Sequence, residues 1–229
     1  MKVYYWSDYA CPYCYIGETA LKKAIKSLGL EDDIFVEMRS FELSPKAPIK
    51  SDASTLGLVA KKYGISEDLA KKSIESIDEM GRALGLKMNF GGSKYANTLD
   101  AHRLTKLSQS IGYDVFERLS ESLFKAVFID NINIADRCNL LSISLDAGLK
   151  EGDVLRVLDS DEYLDEVRQD EYEAHQIPID GVPYFVFDDK YIVPGALSKE
   201  NMEMVLKKIH SGNIDNFSND DKTCGPDGC

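Results

Sequence analysis

The chain has 229 residues, is 44% hydrophobic and 29% charged, and carries a formal net charge of −12. That length builds one large domain or two interleaved ones around an ordinary globular core. The acidic balance speaks against nucleic acid or an anionic membrane as partner, and no run of about 18 apolar residues is present to span a bilayer.

The apolar run Val3-Tyr4-Tyr5-Trp6 predicts a short buried strand over residues 2–7. Over residues 12–28, Ile16, Ala20, Leu21, Ala24, Ile25 and Leu28 recur at helical spacing. Pro12 suits the first helical turn, where its missing N–H is harmless, and Gly29 suits the stop. A second strand is predicted over 34–41, before Ser44-Pro45-Lys46-Ala47-Pro48 breaks regular structure. The next long stretch is helical, with candidate helices at 53–63, 66–85, 97–111, 114–128, 136–147, 151–158 and 161–175. Asn97 reads as an N-cap. Strand character returns at 184–187 and 191–193 around the hairpin turn Asp188-Asp189-Lys190. A last helix over 198–210 places Met202, Val205, Leu206 and Ile209 on one face. Residues 211–229 are polar, carry Gly-Pro-Asp-Gly, lack a core pattern and read as a mobile tail. A β-α-β half therefore comes first, a helical block interrupts it, and a β-β-α half closes one sheet.

Cys11-Pro12-Tyr13-Cys14 joins the first strand to the first helix. A Cys-x-x-Cys pair beside an α/β pattern is more often redox-active or metal-binding than structural. With the helix starting at Pro12, Cys11 is the N-cap, and its sulfur is expected to face the free N–H groups of Tyr13 and Cys14 at the positive end of the helix dipole. Both favour the thiolate, which is the attacking species in disulfide exchange. Cys14, one turn in, is expected on the more covered side, where it resolves the mixed disulfide. Tyr13 leaves the spacer without a lysine or histidine, so the helix terminus has to supply most of the thiolate stabilisation.

Gly181-Val182-Pro183-Tyr184-Phe185 opens an apolar strand with a proline, which cannot donate to a ladder. A cis Val182–Pro183 bond is expected, because X–Pro bonds prefer trans by only about 0.5–1 kcal/mol. It would leave the Val182 backbone facing outward to pair with an extended substrate segment. His102 either stabilises the Cys11 thiolate or packs along its helix. Glu18, four residues after Cys14, is expected to be a solvated first-turn carboxylate, and Cys138 to lie in the core on a stripe with Ile134, Leu141 and Leu145. His175 and His210 are expected at the surface. Gly-Pro-Asp-Gly can bring Cys224 and Cys229 together. A zinc site formed by Cys11, Cys14, Cys224 and Cys229 is the competing use of these thiols; Pro12 and the proline loop suit redox chemistry better, and no metal is expected.

The segments Ser7-Asp8-Tyr9-Ala10-Cys11-Pro12-Tyr13-Cys14-Tyr15-Ile16-Gly17, Phe41-Glu42-Leu43-Ser44-Pro45, Asn97-Thr98 with Ala101-His102-Arg103, Gly181-Val182-Pro183-Tyr184-Phe185, and Gly195-Ala196 resemble the DsbA family of thioredoxin-fold oxidoreductases, in its FrnE-like cytoplasmic subgroup. The resemblance runs to about residue 210. It implies an α/β thioredoxin fold interrupted by a large inserted all-helical domain. Residues 1–48 and 177–210 would form the thioredoxin-like domain, 49–176 the helical insert, and 211–229 the tail. It implies Cys11 and Cys14 as catalytic thiols, with Pro12, Tyr13, Val182, Pro183 and Asn97 on the substrate side. It also implies Cys224 and Cys229 as a second redox pair that relays electrons. Implied partners are a disulfide-containing protein or small molecule, with glutathione or a thioredoxin-type reductant as donor and no bound cofactor. The same superfamily holds 2-hydroxychromene-2-carboxylate isomerases and kappa-class glutathione transferases, whose active position typically carries serine without a second cysteine. The paired thiols favour electron transfer over that alternative. Met1-Lys2-Val3 runs straight into the first strand, leaving no room for a cleaved leader, so the expected location is cytoplasmic.

Overall fold

The computed structural model describes residues 1–177 and 179–212. A four-stranded mixed sheet is built from β1 (Lys2–Ser7), β2 (Phe35–Ser40), β3 (Tyr184–Phe187) and β4 (Tyr191–Pro194), in the order β2-β1-β3-β4. β1 and β2 are parallel and joined by the crossover helix α1 (Pro12–Leu28), while β3 pairs antiparallel with both β1 and β4. Parallel neighbours need such a crossover; the β3/β4 pair needs only a tight turn. Asp188 and Asp189 supply it at positive φ, and the Asp188 carboxylate accepts the Lys2 N–H at 2.7 Å.

Between β2 and β3 lie α2 (Thr55–Tyr63), α3 (Glu67–Ala83), a 3-10 turn (Phe90–Gly92), α4 (Leu99–Ile111), α5 (Tyr113–Phe128), α6 (Arg137–Asp146), α7 (Glu151–Leu158) and α8 (Leu164–Gln176). The closing helix α9 (Lys199–His210) packs on α1. The sheet's alternation assigns its two faces. Val3, Tyr5, Phe185 and Phe187 enter the large core with α1 and α9. Trp6, Tyr184 and Val186 enter a smaller cluster against Ala174 of α8. The Trp6 indole N–H is satisfied there by the Asp170 carbonyl at 2.8 Å. The large core continues through Leu104, Leu123, Phe124 and Phe128 of α4 and α5, so inserted helices and sheet share one apolar interior.

Three sequence expectations are corrected here. Cys138 is exposed, not core. Asp136 caps α6 by accepting the Cys138 and Asn139 N–H groups, and this turns Leu140 and Ser144 inward. Cys138 and Leu145 then face outward, Leu145 being 37% exposed, while Ile134 is buried and Leu141 packs half-buried against the large core. Glu18 is not solvated; it is 2% exposed. Its carboxylate accepts the Tyr5 hydroxyl at 2.8 Å and the Ser120 hydroxyl at 2.8 and 3.0 Å, and pairs with Lys22 Nζ at 2.8 Å. Hydroxyls from β1 and α5 supply the polar partners a buried carboxylate needs. α4 starts at Leu99, two residues after the expected cap. Asn97 still satisfies the first turn, because its Oδ1 accepts the Leu99 N–H at 2.9 Å.

Candidate active site

β1 ends at Ser7, and residues 8–11 turn the chain into α1. Asp8 makes that turn with its own groups: its carbonyl accepts the Cys11 N–H at 3.0 Å and its Oδ1 accepts the Ala10 N–H at 3.2 Å. Asp8 Oδ2 accepts the Leu43 N–H at 2.7 Å, tying the turn to the segment leaving β2. Cys11 is the N-cap in extended conformation, with Pro12 opening the helix. Its sulfur makes no cap bond, contrary to the sequence expectation. The helix closes on the Cys11 carbonyl, which accepts the Cys14 N–H at 3.1 Å. The thiol instead donates to the Val182 carbonyl at 3.3 Å.

Cys11 and Cys14 are both free thiols with different surroundings. Cys11 is 4% exposed and Cys14 is fully buried. Burial pushes the Cys14 thiol well above the ordinary cysteine range, and the hydrogen bond and charge of Cys11 add to it. The Ser7 hydroxyl and the Asp8 backbone N–H oppose that rise without cancelling it. Cys14 is thus held protonated behind Cys11, the slightly more exposed of the two buried thiols.

The Val182–Pro183 peptide bond is cis, and its loop leads into β3 beside Cys11. The Pro183 carbonyl accepts the Gly195 N–H at 2.8 Å, fixing the loop from the far side. From below it rests on α1: a Cβ on Gly17 would stand 3.0 Å from Pro183 Cγ and 3.2 Å from Phe185 Cζ. Tyr13 is half-buried and packs against the large core.

The structure therefore gathers Cys11, Pro12, Cys14, Val182 and Pro183 at one point. The side-chain contacts of Asn97 lie elsewhere, with Leu99, the Pro45 carbonyl at 3.2 Å and Glu42 Oε1 at 3.5 Å. His102 is fully buried on α4 with Nε2 3.3 Å from Asp8 Oδ1. Cys224 and Cys229 lie outside the described residues. Sequence reasoning did not single out Asp8 or Gly17 for a role. Asp8 had a legible signal, an aspartate at a strand end where its side chain shapes turns. A cavity of about 630 Å³ lies away from the cysteines, between the β2 edge and α4, α5 and α8, and includes Phe35, Lys106 and Asp170 in its lining. No cluster of three or more metal-binding side chains occurs among the described residues. None of their helices is long and apolar enough to cross a membrane.

A Cys-x-x-Cys at the N-terminus of α1, a proline loop opposite and the order β2-β1-β3-β4 define a thioredoxin fold. The family model for the DSBA-like thioredoxin domain matches residues 2–207, and the chain belongs to that family. A probable DsbA oxidoreductase from Streptomyces coelicolor is similar at 34% identity and a TM-score of 0.85, covering 100% of this chain and 98% of that one. The uncharacterized protein YwbO of Bacillus subtilis is 28% identical over 212 residues, 90% of this chain and 94% of that protein. The cytosolic disulfide reductase DsbM of Pseudomonas aeruginosa, in its structure with GSH, shares the fold at 12% identity and a TM-score of 0.61, covering 92% and 100%.

Proposed function

We propose that the chain is a thiol–disulfide oxidoreductase of the FrnE-like, cytoplasmic kind, acting through Cys11 and Cys14. The observation that carries this reading is their asymmetry: one sulfur bonded to the proline loop and 4% exposed, the other fully closed off and held as a thiol. The Cys11 thiolate attacks a disulfide of a protein or small molecule, forms a mixed disulfide and expels one thiolate. Cys14 then loses its proton and attacks the Cys11 sulfur, releasing the second thiol. Two electrons pass to the substrate and Cys11 and Cys14 end as a disulfide. Pro12, Tyr13 and the Val182–Pro183 loop hold the substrate, while Asn97 supports the segment beside it.

Glutathione or a thioredoxin-type reductant restores the dithiol. Cys224 and Cys229 relay electrons to or from the first pair. Residues 1–48 and 177–210 act as the redox domain and 49–176 as the helical insert. In the test, Cys14→Ser is incubated with a disulfide-bonded peptide. A trapped Cys11–peptide mixed disulfide is expected, and Cys11→Ser gives none. A second reading, a glutathione-dependent isomerase or transferase, draws on the GSH held by one protein of this fold. In that case Cys14→Ser leaves turnover intact.

A further inference from the structure

Asp8 and His102 form a buried pair on the turn that carries Cys11, and the exchange reaction leaves it unused. Both side chains are essentially closed to solvent, at 1% and 0% exposed. The carboxylate accepts from three directions: Ala10 N–H, Leu43 N–H and His102 Nε2. The main chain of the same residue holds Cys11, its carbonyl accepting the Cys11 N–H at 3.0 Å. His102 packs at a tilt against Tyr9, with ring centroids 5.3 Å apart, and Tyr9 in turn hydrogen-bonds Thr105 of α4 at 2.6 Å. Among the described residues His102 Nδ1 has no partner. Its one polar contact of the ring is therefore Asp8, and Nε2 must carry the proton to donate to a carboxylate.

We propose that Asp8 and His102 are positioning residues that set the dithiol–disulfide equilibrium of Cys11 and Cys14. The inference rests on the oxidoreductase reading above. A buried negative charge three residues before Cys11 disfavours further negative charge on the dithiol, and the Nε2–H donor offsets that charge. Removing the donor raises the local negative field, disfavours the reduced pair and favours the disulfide. Removing the charge does the reverse. Asn at position 8 also turns an amide donor towards either the Ala10 or the Leu43 N–H, so some stability is lost with it.

The exchange is dithiol plus oxidised glutathione giving protein disulfide plus two reduced glutathiones; two electrons and two protons leave the protein sulfurs. Its equilibrium constant is measured by quenching the full chain in glutathione buffers and counting alkylated Cys11 and Cys14 by mass spectrometry. His102→Leu is expected to move the equilibrium about tenfold towards disulfide, roughly 30 mV. Asp8→Asn moves it towards dithiol, and His102→Gln, which keeps a donor, stays near the parent. Adding His102→Leu to Asp8→Asn produces no further shift, because the charge it exposed is gone. Equal shifts of one sign in all variants, or no shift in His102→Leu, overturn the proposal. Where Asp8→Asn does not fold, the contrast of His102→Leu with His102→Gln decides it. A parent chain whose Cys11 and Cys14 never form a disulfide overturns the oxidoreductase reading itself, a result distinct from unshifted variants of a cycling protein.

Discussion

Gly17→Ala tests how closely α1 holds the proline loop. Gly17 sits inside α1, where alanine is normally favoured over glycine by about 1 kcal/mol. Here the added methyl would lie 3.0 Å from Pro183 Cγ and 3.2 and 3.3 Å from two carbons of the Phe185 ring. Phe185 is fully buried, so the ring has nowhere to retreat. Overpacking of this kind costs about 1–3 kcal/mol. The net expectation is a loss of about 0–2 kcal/mol in urea unfolding. The loop is the softer neighbour and gives way first, carrying the Val182 carbonyl off the Cys11 thiol. Exchange with a disulfide peptide should slow by about tenfold, equivalent to about 1.4 kcal/mol of barrier, with secondary structure unchanged. A variant stabilised by the full helical gain and exchanging at the parent rate would refute the reasoning.

Glu18→Ala leaves Lys22 with only its longer pairing to Glu117 at 4.0 Å and removes the acceptor for the Tyr5 and Ser120 hydroxyls; a loss of about 3 kcal/mol in urea unfolding is expected, with Glu18→Gln milder. Alkaline pH should destabilise the reduced protein. Burial, first among the causes, raises the Tyr5, Tyr9 and Cys14 groups above their ordinary values of 10.0, 10.0 and 9.0. The unfolded chain therefore releases these protons before the folded one does. Stability is complete below pH ~9 and falls above it, by up to about 1.4 kcal/mol per pH unit for each such group. Urea midpoints from pH 8 to 11 check this, and Tyr9→Phe should flatten the slope. Native alkylation of the reduced chain should label exposed Cys138 at the rate of a free peptide thiol and leave buried Cys14 unlabelled until denaturant is added.

Periodicity carried much of this architecture. The first helix was legible because Ile16, Ala20, Leu21, Ala24 and Ile25 are all buried along one side of α1. β1 was legible as an apolar run before a turn, and its alternation sends Tyr5 to one core and Trp6 to the other. α6 shows where the signal fails. Its polar and apolar residues are nearly evenly spread, so the buried side was chosen by the Asp136 cap and by packing, and Cys138 and Leu145 were misread although Ile134 and Leu141 do meet the core. Glu18 was misread for a different reason. Nothing local to α1 announces that Ser120, 102 residues away, closes over its carboxylate. The two cysteines and Pro183 stood out by residue type, whereas the bond from the Cys11 thiol to Val182 spans 171 positions and exists only once the sheet has formed. Asp8 lay in plain view three residues before Cys11, but its ties to Leu43 and His102 join the ends of β2 and α4.

The central claim is that Cys11 and Cys14 cycle as a two-electron pair. It is tested most directly by equilibrating the full chain across glutathione buffers and reporting every cysteine by alkylation and mass spectrometry. The account predicts that Cys11 and Cys14 are lost from the alkylated pool together, along a single two-electron curve, with Cys224 and Cys229 titrating in linkage with them. Accumulation of a stable Cys11–glutathione adduct with Cys14 still free would contradict it.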